Sequence, residues 1–153
     1  MSDEATRALD AAATLGLSVE VTPVPRVRSL QEAATALGLA PRQIVKTLVV
    51  RVAEGDYRLV LVPGDRQISW PKLRAVLGVN RAAMPPAEEA LAATGYERGT
   101  ITPLGAAGSW PVVADTRIEG RINLGSGAHG QGLGVDAAAL LTAYDAVVAD
   151  VTD

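Results

Sequence analysis

Cysteine is absent from this 153-residue chain, and histidine occurs once, as His129. The first absence excludes a disulfide framework, a thiol nucleophile, thiolate-bound zinc and iron–sulfur clusters. The second excludes a histidine-cluster metal centre, and any Ser-His-Asp scheme would have to use His129. Phenylalanine is also absent, and aromatics make up 3% of the chain, too few for a base-stacking platform of the single-strand-binding kind. No apolar run approaches the ~20 residues of a membrane-spanning helix. The acidic start MSDEATRALD has no basic segment leading into an apolar one, so it does not read as a signal peptide. The expectation is a soluble, cytoplasmic protein with one domain over residues 1–153, within the usual range of roughly 100–200 residues.

Charge is present but unevenly spread. Residues 23–81 carry ten basic groups against four acidic ones, a local +6 in a chain whose formal net charge is −3. A basic middle in an acidic protein fits one face meant for a polyanion, or segregation along the chain that folding mixes away. Of the 14 basic residues, only Lys46 and Lys72 are lysine.

The local signals alternate between helix and strand without a regular βαβ beat. Residues 3–15 read as a helix capped by Ser2 and stopped by Gly16, and Ser18–Val24 as a short strand ended by Pro23 and Pro25. Ser29-Leu30-Gln31-Glu32 is a capping box opening a helix to Leu37, closed by Gly38. Gln43–Val52 (QIVKTLVVRV) is the strongest strand signal, and it turns at Glu54-Gly55-Asp56 into Tyr57–Val62 as a hairpin. Ser69 caps a helix over Pro71–Leu77, Arg81–Met84 reads as a short strand, and Pro86–Ala93 as a helix stopped by Gly95. Pro111–Ala114, Arg121–Leu124 and Leu133–Val135 read as short strands, and Asp136 caps a last helix expected to reach Ala149. The mixture argues an α+β fold with a largely antiparallel or mixed, curved sheet.

Three places carry chemistry. Lys46 lies in a strand that is apolar on both faces, where an ammonium must reach water, find an anion or lose its proton. In a chain that otherwise uses arginine, a lysine here fits a site wanting a compact point charge. The stretch Gly95–Gly105 (GYERGTITPLG) is a loop punctuated by glycine and proline. Such a loop is either a plain turn or a way to aim successive amides into a cavity, as an oxyanion hole requires. Gly125-Ser126-Gly127-Ala128-His129-Gly130 matches G-x-G-x-x-G literally. The dinucleotide reading fails, because that motif must open a helix inside a βαβ unit and here Gly132 and Gly134 follow at once. A turn letting a ligand approach the backbone fits better; His129 in it is an exposed loop residue or a phosphate or substrate contact.

Taken in order, Lys46 in V-K-T-L-V-V, the G-Y-x-x-G-x-I-T-P-L-G stretch and the G-S-G-x-H-G turn before a final helix resemble the YbaK/EbsC family. That family comprises aminoacyl-tRNA deacylases related to the editing domain of bacterial prolyl-tRNA synthetase. The resemblance covers nearly the whole chain and implies a mixed, barrel-like curved β-sheet flanked by helices. It implies hydrolysis of the ester joining a wrong amino acid to the 3′-terminal adenosine of a tRNA, with no cofactor and no metal. Lys46 corresponds to the family's lysine at the phosphate and ribose end of the substrate. Gly99, Thr100 and Ile101 correspond to the loop whose amides face the scissile carbonyl. Gly125, Ser126 and Gly127 correspond to the small-residue turn lining the pocket, and His129 stands where many members carry a basic residue. The implied partners are an aminoacyl-tRNA 3′ end and an aminoacyl-tRNA synthetase, with no membrane and no DNA.

An aminoacyl ester is already activated, so orientation and oxyanion stabilisation suffice, and water or a substrate hydroxyl can attack without a protein nucleophile. Two alternatives stand beside this deacylase: a non-catalytic tRNA- or synthetase-binding module on the same fold, and a hydrolase of unrelated substrates with His129 as general base.

Overall fold

The computed structural model describes residues 2–24 and 29–153. Pro25 and the basic residues Arg26 and Arg28 lie outside the described residues. Helix α1 spans Asp3–Thr14, with the Ser2 hydroxyl accepting from the Ala5 amide as its cap. Strand β1 is Glu20–Pro23 and α2 is Leu30–Leu37, capped by Ser29 at one end and by left-handed Gly38 at the other. After a 3-10 turn at Pro41–Gln43 come β2 (Val45–Ala53) and β3 (Asp56–Pro63), the expected hairpin. Helix α3 is Trp70–Leu77, capped by Ser69, and α4 is Ala87–Thr94, closed by Gly95. Strands β4 (Val112–Asp115), β5 (Arg121–Gly125) and β6 (Gln131–Asp136) precede α5 (Ala137–Ala143) and β7 (Val147–Ala149).

The strands form two sheets. β1-β6-β5 is antiparallel; β2-β3-β4-β7 is mixed, antiparallel at β2/β3 and parallel at β3/β4 and β4/β7. A single bridge, Ile44 with Asn123, joins them near the start of β2. The expected α+β class and mixed sheet are present, arranged as two sheets that do not close into a barrel among the described residues.

Period-2 alternation sends successive side chains of the four-stranded sheet to opposite faces. Val45, Val49, Leu59, Leu61, Val112 and Ala114 enter one core with α1, α4, α5 and the three-stranded sheet. Val50, Val60, Val62 and Val113 enter a second core against Leu73 of α3, Ile68 and Val151. The two-sided cover inferred for the Lys46 strand is therefore real.

Two sequence expectations change. The last helix ends at Ala143, not Ala149, because Asp145 takes a positive φ (48°) and the β-branched pair Val147-Val148 joins β4 as a parallel edge strand. Arg81–Met84 contributes only one bridge, Ala83 with Arg51, before Pro85 and Pro86 stop further pairing.

The chain after β7 is held by a buried carboxylate. Asp115, fully buried, accepts from the amides of Arg117 and Val151, the Thr152 hydroxyl and the Arg117 guanidinium. Burial pushes its pKa up, but those hydrogen bonds outweigh it, and the carboxyl titrates below the ordinary value. Asp150, hydrogen-bonded by Arg117 and Lys72, is held down to about 2. Both carboxyls bind protons more readily in the unfolded chain. Their stabilisation is thus complete above the ordinary carboxylate pKa and is lost as pH falls through the folded values. Asp115→Asn is expected to lower unfolding free energy by about 1–3 kcal/mol at neutral pH. Its deficit relative to wild type should shrink as denaturation is repeated from about pH 5 towards pH 2.

Candidate active site

A cavity of about 430 Å3 opens between the two sheets. One wall is the consecutive run Val45–Val49 of β2; the others come from Met84-Pro85, Ala90 of α4, Arg98, Gly99, Ile101 and the β5–β6 turn. The run shows why the space exists. Arg51 exchanges both main-chain hydrogen bonds with Ala83 on the side away from β3, at 2.8 and 3.1 Å. Alternate residues of a strand send their N–H and C=O to the same edge. Thr47 and Val49 therefore present theirs to the cavity edge, where no described residue pairs with them. The cavity fills a gap in a sheet edge between two bridges, Ile44/Asn123 and Arg51/Ala83.

Lys46 contributes to the β2 wall, but its parity is that of Leu48 and Val50, opposite to Thr47. Its Nζ donates to the Arg66 carbonyl at 2.9 Å. Of the fates open to this ammonium, the structure shows a main-chain oxygen in the loop after β3 as its partner. Arg66 is itself pinned, since its Nε donates to Thr152 Oγ1, which donates to Asp115.

The Gly95–Gly105 loop is braced from behind. Tyr96, fully buried, donates from its hydroxyl to the Leu104 carbonyl at 2.6 Å and carries the Arg7 guanidinium over its ring. Of the three loop residues, Gly99 and Ile101 line the cavity and Thr100 does not. Thr100 is buried, and both its amide and its hydroxyl donate to the Glu97 carbonyl. The amides of Gly99 and Ile101 have no acceptor among the described residues.

The G-S-G-x-H-G turn divides in the same way. Gly125 and His129 line the cavity, whereas Ser126 and Gly127 stand behind the wall. The Ser126 hydroxyl accepts from the Ala128 amide and fixes the turn, and Gly127 (φ 85°) donates its amide to the Thr100 carbonyl and packs on the Tyr96 ring. Gly125 must be glycine, since a Cβ there would lie 2.5 Å from the Ile101 carbonyl oxygen. His129 pairs with Glu97 at 2.9 Å, both side chains about two-thirds exposed, so the β5–β6 turn and the loop meet at the cavity rim.

Beyond the cavity, Glu89 of α4 accepts from Arg51 and from the Tyr57 hydroxyl at 2.6 Å, clamping α4 to the hairpin. The Tyr57 hydrogen bond, aided by Arg51, draws the Glu89 carboxyl below its ordinary pKa. Three members of the basic middle are spent on acids: Arg51 on Glu89, Arg58 on Asp56 and Lys72 on Asp150. Sequence reasoning passed over Thr47, Arg98 and Asn123 as cavity residues. Their only signal was proximity to the motifs, because it is the sheet edge that brings them together.

A model of the aminoacyl-tRNA editing domain matches residues 24–143. The chain belongs to that family. A proline–tRNA ligase of Citrifermentans bemidjiense is 35% identical over 111 residues, which are 72% of this chain and 19% of the ligase. One from Acidithiobacillus ferrooxidans is 35% identical over 113 residues, 74% of this chain and 20% of the ligase. The chain thus spans about a fifth of the length of these relatives. Among solved structures it is similar to a protein proposed as a trans-editing enzyme for prolyl-tRNA synthetase. There the TM-score is 0.90 at 28% identity, over 100% of this chain and 99% of that one. It is also similar to the hypothetical protein APE2540, with TM-score 0.86 at 27% identity over 96% and 99% of the two chains. No helix among the described residues of this editing domain is long and apolar enough to cross a membrane.

Gly125→Ala in this editing domain is expected to push the loop off the β5 end and lower stability by about 1–3 kcal/mol, as overpacking does. Denaturant midpoints measure it. A variant as stable as wild type would show that this close approach is not needed.

Proposed function

We propose that this editing domain hydrolyses the ester between a wrongly attached amino acid and the 3′-terminal adenosine of a tRNA, acting in trans on a product of prolyl-tRNA synthetase. The observation that carries the reading is the pairing, across one cavity, of two unspent loop amides (Gly99 and Ile101) with a lysine-bearing strand. Water attacks the ester carbonyl, the carbonyl oxygen takes the negative charge, and the tetrahedral intermediate collapses with release of the ribose 3′-hydroxyl. The Gly99 and Ile101 amides would receive that oxyanion; one such donor is typically worth ~3–4 kcal/mol. Thr100, with its amide already bonded, holds the loop's shape and donates nothing to the oxyanion.

Lys46 keeps two N–H donors beyond the one given to Arg66, and these would meet the phosphate and ribose end of the substrate as a fixed point charge. His129, held at the rim by Glu97, adds a contact to the terminal nucleotide. A cytoplasmic location, where charged tRNA and the synthetase are found, goes with this reading.

The test is hydrolysis of alanyl-, seryl- and cysteinyl-tRNA for proline. At least one ester is expected to be turned over, and Lys46→Ala to cut kcat/KM roughly 100-fold or more while circular dichroism stays native. Salt-sensitive tRNA binding with no turnover of any ester would instead identify a binding module.

A further inference from the structure

Thr47 Oγ1 is the one buried side-chain polar atom without a hydrogen-bond partner among the described residues. The residue is 7% exposed, lies on the cavity wall and shares its strand face with Val45 and Val49. Ile101 and Leu124 belong to the core on that face and line the same cavity. A hydroxyl in such a place leaves a hydrogen bond unmade, which buried polar groups rarely do. Valine, its near isostere, would fill the position without that loss.

The main chain beside it is also unpaired. Thr47 sends its N–H and C=O to the free edge of β2, so the α-amino group of a bound aminoacyl ester can donate to the Thr47 carbonyl while the ester carbonyl stays with the Gly99 and Ile101 amides. The substrate's side chain would then stand against Thr47.

Resting on the deacylase reading, we infer that Thr47 is a specificity-determining residue: its hydroxyl reads a hydroxyl on the misattached amino acid and favours serine over alanine. A turn about the Thr47 Cα–Cβ bond brings Oγ1 from the wall to the substrate, where it finds the partner it lacks in the free protein. A site that hydrogen-bonds a substrate hydroxyl discriminates strongly against the analogue without one, whereas an apolar wall does not.

Seryl- and alanyl-tRNA for proline differ by one oxygen and make the matched pair. Wild type is expected to favour the seryl ester in kcat/KM by at least about tenfold. Thr47→Val is expected to shrink that ratio at least about fivefold through loss on the seryl ester, and Thr47→Ser to preserve it. Equal losses on both esters, or a wild type that prefers alanine, overturn the inference while leaving the deacylase reading intact. Turnover of the cysteinyl ester alone overturns the inference and leaves the deacylase reading intact; if wild type hydrolyses none of the three esters, the deacylase reading fails. Thr47 is then judged by affinity for the non-hydrolysable 3′-serylamido- and 3′-alanylamido-adenosines. Tighter binding of the seryl compound that is lost in Thr47→Val supports the role of Thr47, and equal affinities overturn it.

Discussion

The structure depends on a strand left half-paired. β2 satisfies every second residue against β3 and leaves the intervening residues to the opposite edge, where only its two ends find partners. An open sheet edge is usually a liability, covered or blunted to prevent association with other chains. Here the gap between the two bridges is flanked by the Gly95–Gly105 loop and the β5–β6 turn, so the free edge faces the cavity. The cavity therefore has a polar main-chain strip along one side, and elsewhere apolar side chains with Arg98, Asn123 and His129 among them.

Much of the remaining structure holds that space open. Tyr96 braces the loop against α1 and the turn, and the Arg51–Glu89–Tyr57 cluster locks α4 to the hairpin. From Lys46 a chain of hydrogen bonds runs through Arg66 and Thr152 to buried Asp115. The last residues of the chain thus fix the position of an ammonium more than a hundred residues earlier. Rigid placement of this kind suits a reaction that needs orientation and charge stabilisation more than a reactive side chain. It also fits a composition with no cysteine and one histidine.

How much of this was legible in the sequence follows the range of the interactions. Ser2, Ser29 and Ser69 with their glycine stops are local signals, and each helix start they marked is where it was expected. The two-faced apolar run at Lys46 correctly indicated a strand covered on both sides. The last helix was overextended because alanine-rich sequence favours helix, while the parallel pairing that claims Val147-Val148 comes from β4, distant in sequence. At the site, motif order located the right segments but could not separate Gly99, Ile101 and Gly125, which line the cavity, from Thr100, Ser126 and Gly127, which support it. That division depends on which amide is already bonded. Thr47 was passed over for the same reason: an unsatisfied hydroxyl becomes visible only once the sheet edge beside it is known.

The most direct test of the half-paired strand is residue-resolved amide hydrogen exchange, in the free protein and with a non-hydrolysable aminoacyl-adenosine bound. The account predicts that Thr47 and Val49 exchange much faster than Leu48 and Val50 in the free protein, and that they slow selectively when the analogue binds. Uniform protection along β2 before any ligand is added would contradict it. So would slowing confined to the separate cavity beside Trp110 and Tyr144.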